Sequence, residues 1–322
     1  MPLKLVPDET NIDFFRHAKV TFGASCVAMV LSILIWALVG LNFGIDFRGG
    51  TTIRTESPQA VDIGLYRSAV EPLGLGDVTI TEVFDPSFRD DQNVAMLRIQ
   101  SQDDEEAATA ETIAAIEAAL TEVRPDIKFT SVESVGPKVS GELILDAVLA
   151  VTGALAAILI YIWLRFEWQF SVGAVAALFH DVILTIGVFS ALQIRFDLAV
   201  IAAILTIIGY SINDTVVIFD RLRENLRKYK KRPLRDVMNL SVNETLSRTI
   251  MTSGTTLLAL IALLVLGGDV IRGFVFAITW GVIVGTYSSV FVAKNIVLFL
   301  GVKRDWSKTT PDQGNQYANI DA

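Results

Sequence analysis

The chain has 322 residues, of which 52% are hydrophobic and 19% are charged, and its formal net charge is −8. Soluble domains carry about 25% charged residues, so this composition disfavours a soluble protein and indicates one embedded in a membrane. No HExxH, GxSxG or GKS/GKT sequence occurs, and the chain has only two histidines and one cysteine. The motifs of zinc proteases, serine hydrolases and P-loop ATPases are therefore missing. We expect no enzymatic activity, no metal and no cofactor.

Six apolar stretches are long enough to cross a bilayer, whose core needs about 20 apolar residues per helix. They predict transmembrane helices near 20–41, 143–164, 170–192, 198–219, 246–266 and 274–294. The first span contains the one cysteine, Cys26, and lacks a convincing cleavage site, so we interpret it as an uncleaved anchor. Lys and Arg number 15 in the tails and loops on one side of this topology, against 2 in the short loops opposite. Positive loops stay in the cytoplasm, so both termini should be cytoplasmic.

The predicted layout has one large domain outside the membrane. In chain order it comprises a cytoplasmic tail (1–19), the first helix (20–41), an external domain (42–141), a five-helix region (142–300) with a basic cytoplasmic loop (220–245), and a cytoplasmic tail (301–322). The external domain holds 18 acidic against 8 basic residues, so the low isoelectric point belongs to it. The basic loop could bind anionic lipid or RNA. The positive-inside bias explains it more simply, and we expect no nucleic-acid partner.

The external domain alternates strand and helix patterns. Strands are predicted at 47–55, 78–84, 93–100 and 127–135, and helices at 58–72 and 103–123. This β-α-β-β-α-β order is the ferredoxin-like arrangement, a four-stranded sheet with two helices on one face. The acidic run that begins the second helix favours the positive end of its dipole. The uncovered sheet face suggests a docking surface, although a fold alone assigns no function.

Two glycine-rich segments flank this domain. GIDFRGG leaves the first span and VGPKVSGEL enters the second; their candidate residues are Gly44, Asp46, Arg48, Gly49, Gly50, Gly136, Pro137 and Gly141. Glycine tolerates backbone angles that other residues avoid, so these segments could turn sharply at the bilayer surface. The simpler interpretation is a structural junction. The alternative is a hinge on which the external domain tilts.

The fourth span contains an acidic residue, Asp214, with Ser211 and Asn213 beside it. A charge at the centre of a bilayer costs about 2.5–3.5 kcal/mol on insertion scales, so such a residue needs a reason. A carboxyl group in apolar surroundings can be neutral or charged near neutral pH, as a proton carrier requires. The alternative is a hydrogen bond that packs helices together, made with Asn213 or Ser211.

The fifth span carries a polar stripe at helical spacing. Its members are Thr245, Arg248, Thr252, Thr255 and Thr256. Such a stripe must face protein or water rather than lipid. Because a guanidinium stays protonated, Arg248 could respond to the charge of a nearby carboxylate. Alternatively, Arg248 reaches the headgroups or pairs with Glu244, four residues earlier.

Further polar residues lie in the third and sixth spans. We expect Asp181, at the midpoint of the third, to be a buried partner of the fourth or fifth span, with transient proton holding as an option. Adjacent helical residues point in different directions, so His180 is not expected to face Asp181 and should be a satisfied interior histidine. Lys294 should reach the membrane surface. Gly281 and Gly285 form a GxxxG pattern that permits close helix packing.

These motifs together resemble a known family. GIDFRGG, VGPKVSGEL, HDV in the third span, YSINDTVVIFDRLREN in the fourth and SRTIMTSGTTLLALIALLVLGG in the fifth are similar to the SecF branch of the SecD/SecF family of protein-export membrane proteins, over roughly residues 11–305. That family belongs to the resistance-nodulation-division superfamily. The single external domain of about 100 residues is short for SecD.

The resemblance implies an accessory subunit of the Sec translocase in the bacterial inner membrane, with residues 42–141 periplasmic. It implies that the chain acts with SecD to couple the proton motive force to preprotein translocation. The implied partners are SecD, the SecYEG channel, YajC, YidC, unfolded preproteins and membrane lipid. Asp214 matches the proton-relay carboxylate of the family and Arg248 matches the arginine that supports proton movement. The alternatives are an uncoupled assembly scaffold and one half of a small-molecule efflux transporter.

Overall fold

The computed structural model describes residues 10–76, 78–100 and 108–302. The acidic run predicted to begin a helix at 103–106 and the tail from 303 onward lie outside these residues. In chain order the elements are α1 (Ala18–Val39), β1 (Asn42–Phe43), α2 (Ile45–Arg48), β2 (Gly50–Ser57), α3 (Ile63–Val70), β3 (Val78–Val83), β4 (Asn93–Gln100), α4 (Ala110–Val123), β5 (Lys128–Val135), α5 (Pro137–Arg165), α6 (Trp168–Leu192), β6 (Arg195–Phe196), α7 (Leu198–Lys228), α8 (Leu234–Leu266), α9 (Asp269–Ser288) and α10 (Lys294–Leu300).

Six helical segments within the described ranges are long and apolar enough to cross a membrane, which confirms the predicted six-helix architecture. Helices α6, α7 and α9 are the most buried, whereas α1, α5 and α8 lie at the periphery. Helices α7 and α9 pack closely, because a methyl group added to Gly281 would overlap Ile207 and one added to Gly285 would crowd Ser211. The two glycines therefore serve the close packing that the GxxxG pattern predicts.

The segment 220–245, predicted as a basic loop, is mostly helical. Helix α7 continues to Lys228 and α8 begins at Leu234, so only residues 229–233 connect them. Arg, Lys and Glu are good helix formers, and the side chains of Arg221 and Glu244 pair across the two helices at 2.6 Å. Hydropathy marks where a helix leaves apolar surroundings, not where it ends.

The sixth spanning segment is interrupted. Residues Ser289–Ala293 form a π-helical segment between α9 and α10. Such π segments are rare and are frequent at functional sites. This one begins where four polar residues, Thr286 to Ser289, occur in succession.

The domain between α1 and α5 has the predicted β-α-β-β-α-β order, and its sheet has the ferredoxin-like strand order β3-β4-β2-β5, with every pair antiparallel. Its core comprises residues of the sheet, α3 and α4, including Ile53, Leu97, Ile116 and Leu120. Helix α3 starts later than predicted, at Ile63. Asp62 sets that start by accepting a hydrogen bond from the Leu65 amide at 3.0 Å.

The second face of the sheet is not fully uncovered, contrary to expectation. Phe88, from the β3–β4 loop, packs on Val83, Val94 and Met96. On the same face, burial and the nearby Arg195 lower the pKa of Arg98 to about 10, with Asp197 opposing them. Because Arg195 begins β6 and Asp197 follows it in the α6–α7 connection, this face of the ferredoxin-like domain is turned toward the helix bundle.

Candidate functional site

Four consecutive residues of the sixth spanning segment connect α9 to four other helices. We call residues 286–289 the polar hub. Thr286 pairs with Ser253 of α8 (2.7 Å), Tyr287 with Ser25 of α1 (3.0 Å), Ser288 with Asp181 of α6 (2.8 Å) and Ser289 with Thr215 of α7 (2.9 Å). Successive residues of a helix point about 100° apart, so one turn reaches all four neighbours. Sequence reasoning missed the hub, because hydroxyl side chains hardly lower the hydropathy of a span.

The hydrogen bonds of the hub are weak enough to be broken and replaced by others. Without water, polar groups inside a membrane must find partners within the protein. Interhelical hydrogen bonds of this kind average only about 0.6 kcal/mol, since the separated helices also find partners. The hub therefore holds α9 in one arrangement without locking it there.

Among the described residues, the Asp181 carboxylate makes more hydrogen bonds than any other carboxylate within the membrane-spanning part. Its Oδ2 atom accepts from the hydroxyls of Ser211 (2.7 Å) and Ser288 (2.8 Å), and the side chain is buried. Its Oδ1 atom lies 3.0 Å from Nδ1 of His180. The expectation that His180 would not face Asp181 was wrong, because the imidazole bends back to its neighbour despite their different directions on the helix. The Ser288 contact, from the sixth span, was not anticipated.

Asp214 is buried but loosely bonded. Its nearest hydroxyl donor is Ser253 of α8, at 3.5 Å from Oδ2, and Ser253 in turn pairs with Thr286 of the hub. Ser211 is bonded to Asp181 instead, and Asn213 is exposed, so the alternative packing bond to Asp214 is not seen among the described residues. Ser253 is therefore the hydroxyl group that senses a change in the charge of this carboxyl group.

Arg248 is exposed on α8, near enough for its charge to act on Asp214. Within the described ranges the two side chains form no ion pair. The alternative pairing with Glu244 is also not seen, since Glu244 is held by Arg221 and Asn225, each at 2.6 Å. Arg248 thus approaches Asp214 from the outside of the bundle.

A polar strip of the bundle remains uncovered by this chain. It comprises the exposed Thr206 and Asn213 on α7 and, on α8, the exposed Arg248 and Thr255 with the partly buried Thr252 between them, and we call it the open polar face. Thr252 and Thr255 bond to carbonyls of their own helix, at 2.9 and 2.8 Å. Thr245, Thr249 and Ser253 of the same helix pack inward. Polar groups at this depth need protein or water against them, so the open polar face is incomplete in one chain.

Lys294 does not reach the membrane surface as expected. It is buried, and its Nζ atom lies 4.1 to 5.4 Å from the ring centres of Phe14, Phe15 and Phe291. The first two rings belong to the segment before α1, which is tied to α8 through Asn239 and Asn243. No snorkelling path remains once this segment covers the helix end.

We expect the unfolding temperature of the Lys294→Met variant to be no lower than that of the natural protein. Nζ has no hydrogen-bond partner within the described ranges, and a buried unpaired charge costs several kcal/mol, against about 0.5–2 kcal/mol from contacts with aromatic rings. Thermal unfolding of the purified protein measures this. Phe15→Ala is the control, and its cavity should cost about 3–5 kcal/mol. Equal losses in both variants would show that the ammonium stabilises the segment.

The GIDFRGG segment forms a short wedge between domain and bundle rather than the start of a strand. Residues 45–48 make one helical turn, and Asp46 accepts from the Leu198 amide at the start of α7 (3.0 Å). The Gly44 amide donates to the Phe196 carbonyl at 2.8 Å, beside the β1–β6 pairing. Gly49 and Gly50 have φ of 72° and 126°, which only glycine adopts easily. Arg48 is exposed.

The second glycine segment is not a turn. Strand β5 ends at Val135, Gly136 has an ordinary φ of −73°, and α5 begins at Pro137, the position in a helix where proline is favoured. Gly141 lies inside α5 with open space beside it. The expectation of a sharp turn at Gly136 or Gly141 was therefore wrong, and one residue joins the domain to α5.

A further contact ties the domain to the start of α9. The Phe84 amide donates to the Asp269 carboxylate at 2.7 Å, and the Asp269 amide donates to the Phe84 carbonyl at 2.9 Å. Sequence reasoning missed this pair, although an acidic residue in the first turn of a helix is a recognisable signal. Two sites, at Asp46 and Asp269, thus connect the domain to α7 and α9, the helices that carry Asp214 and the hub.

Spanning helices with buried ionisable side chains and a ferredoxin-like domain define a polytopic membrane protein of the transport class, because such side chains mark ion pathways. Residues 115–303 match the family described as protein export membrane protein SecD/SecF, C-terminal, and residues 35–60 match the SecD/SecF GG motif. The chain is 68% identical over 320 residues to a protein translocase subunit SecF of Cereibacter sphaeroides, covering 99% of each chain. It is 64% identical to that of Rhodobacter capsulatus, covering 96% of this chain and 95% of the relative.

Among solved structures, the chain resembles SecDF of Thermus thermophilus, a translocon-associated membrane protein, with a TM-score of 0.80 and 34% identity. That match covers 93% of this chain but 40% of the SecDF chain, so this chain spans less than half of the longer one. The chain belongs to the SecF family of protein translocase subunits.

Proposed function

We propose that this subunit acts with SecD to couple the proton motive force to preprotein translocation and release across the bacterial inner membrane. The observation that carries the proposal is Asp214, a buried carboxyl with one long hydrogen bond, beside the exposed charge of Arg248. A proton arriving at Asp214 removes the charge that Arg248 attracts. The role is mechanical, and the proposal includes no enzymatic activity.

The energy of one proton is comparable with the contacts that it must rearrange. A charge crossing 100 mV supplies about 2.3 kcal/mol. The four hub contacts together are worth about 2.4 kcal/mol at the average value for such bonds. Because Ser253 touches both Asp214 and Thr286, a change at Asp214 acts directly on the hub. The energy of one proton is therefore of the size needed to shift α9 between two arrangements.

Helix α9 offers a path from the hub to the ferredoxin-like domain. Asp269, at its first residue, bonds Phe84 of the domain, about 25 Å from Thr286 at 1.5 Å per residue. Asp46 connects the domain to α7, the helix of Asp214. A displacement of α9 against α7 would pull on the domain unequally at these two points. That imbalance would open the Phe84–Asp269 contact and let the domain tilt.

SecD is the proposed partner at the open polar face. This face contains polar groups at membrane depth that one chain leaves uncovered, and the longer SecDF chain has room for a second set of spans. We further propose that the chain contacts SecYEG, YajC and YidC. We also propose that both termini lie in the cytoplasm and that the ferredoxin-like domain lies in the periplasm. The concentration of Lys and Arg around residues 229–233 supports this orientation.

The proposal is tested in inner-membrane vesicles that contain or lack this chain together with SecD. ATP starts translocation of a secreted reporter, a proton gradient is then imposed, and completion is followed with and without an uncoupler. We expect the gradient to accelerate completion only when the chain is present. Equal acceleration in vesicles without the chain would contradict coupling and leave the role of an assembly scaffold.

A further inference from the structure

We propose that Asp181 and His180 form a second proton-binding site, separate from Asp214, where α6 meets α7 and α9. The inference rests on the proposed function in one respect, the assumption that the bundle responds to protons. Both side chains are almost completely buried. They lie 3.0 Å apart, and the carboxylate is also held by Ser211 and Ser288.

The donors around Asp181 leave a place for one proton. When the carboxylate is charged, two hydroxyls donate to its Oδ2 atom and Nδ1–H of a neutral imidazole donates to its Oδ1 atom. The pair then carries one buried negative charge, and Nε2 of His180 has no hydrogen-bond partner within the described ranges. A buried net charge is costly. Binding a proton at Nε2 forms one N–H bond, breaks none and makes the pair neutral overall.

The surroundings supply no competing counter-charge. Within the described residues, Asp181 contacts His180 at 3.0 Å and forms no ion pair with a Lys or Arg. Helix α7 presents Ser211, and α9 presents Ser288 and Tyr287, whose ring stacks on the imidazole at 6.0 Å. Neutralisation of the carboxylate therefore depends on a proton rather than on a fixed cation.

Tyr287, which stacks on the imidazole, connects this site to α1. The Tyr287 hydroxyl lies 3.0 Å from the Ser25 hydroxyl and donates to the Thr21 carbonyl at 3.0 Å. Thr21 is in the first turn of α1 and is only partly buried. Arg248 and the open polar face approach Asp214 from α8 instead. The two acidic sites thus have different neighbouring helices, α1 beside His180 and α8 beside Asp214.

The two sites share the helices that the hub joins. Ser211 of the Asp181 site lies three residues before Asp214 on α7. Ser288 lies two residues after Thr286, which contacts Asp214 through Ser253. A movement of α9 changes the donors at both acids, so proton binding at one site should alter binding at the other.

Nitrogen-15 NMR of labelled histidine tests the site, because the chain has only two histidines and His17 is exposed. In the full chain with SecD, carrying His17→Gln, the remaining signal belongs to His180. We expect this signal to show a proton on both ring nitrogens. Asp181→Asn removes the neighbouring anion, so the His180 signal should then show a proton on one ring nitrogen only. Asp214→Asn should change the signal less.

A singly protonated imidazole would overturn the site, and the His17→Gln protein alone decides this even if Asp181→Asn fails to fold. A ring that stays doubly protonated in a folded Asp181→Asn protein would equally refute the shared proton. The outcome is independent of gradient-driven export. Normal export by Asp214→Asn would remove the proposed function and leave the protonation of His180 as it is.

Discussion

Asp214→Asn should abolish gradient-driven export while the protein remains at normal abundance in the membrane. Asparagine keeps the size of the side chain and an oxygen that accepts from Ser253, but it is fixed in the neutral state. The bundle would then stay in one arrangement whatever the gradient, because a ligand moves an equilibrium only through a difference between its states. The measurement is export of a secreted reporter in a strain that depends on the variant, with the membrane level of the protein followed in parallel.

The matched control is Asp220→Asn, six residues further along the same helix. Asp220 is half exposed and pairs with Arg165 at 2.9 Å, and exposed pairs contribute at most about 1 kcal/mol, so this variant should export normally. Asp214→Glu still titrates and should retain part of the activity. Normal export by Asp214→Asn at normal abundance would show that Asp214 only packs the helices.

Arg248→Met should fail in the same way as Asp214→Asn, because it removes the fixed charge near the carboxyl group. Combining the two substitutions should add little, since residues that act as one unit are strongly non-additive. Additive losses would instead indicate that Arg248 serves a separate purpose at the open polar face.

The sequence predicted what charge and periodicity reveal. Asp214 and Arg248 stand out because ionisable residues are rare in apolar runs, and the domain order follows from alternating strand and helix patterns. The strand predicted from Phe47 begins only at Gly50, because residues 45–48 form a helical turn in which Asp46 bonds to the start of α7. That contact joins residues 152 positions apart, which local patterns do not show.

The hub and the His180–Asp181 contact escaped prediction for a different reason. Serine and threonine are common in spanning helices and usually bond to their own backbone, as Thr252 does. Only the packing of α9 against its neighbours separates Ser288, which bonds to Asp181, from such residues. The open polar face was predicted only in part. Its polar stripe on the fifth span is visible in the sequence, but the surface that would cover it is not part of this chain.

A reversible tether between residues 84 and 269 should stop gradient-driven export. The substitutions are Phe84→Cys and Asp269→Cys in a Cys26→Ala background, joined by a short bifunctional thiol reagent that reductant removes. The natural contact is an exposed pair of hydrogen bonds, worth about 1.5–3 kcal/mol for the charged acceptor and thus within reach of one proton. If the domain tilts about the single residue Gly136, this contact has to open in each cycle.

The control tether joins Glu56→Cys to Lys128→Cys, which face each other on β2 and β5 inside the ferredoxin-like domain. It adds the same reagent without connecting the domain to the bundle, so export should be retained. In the 84–269 protein, reductant should restore export, which separates restraint from damage by substitution. Full export with the tether in place would show that the domain moves as one body with α9. Coupling would then have to pass through α7 and the Asp46 contact, or through the partner at the open polar face.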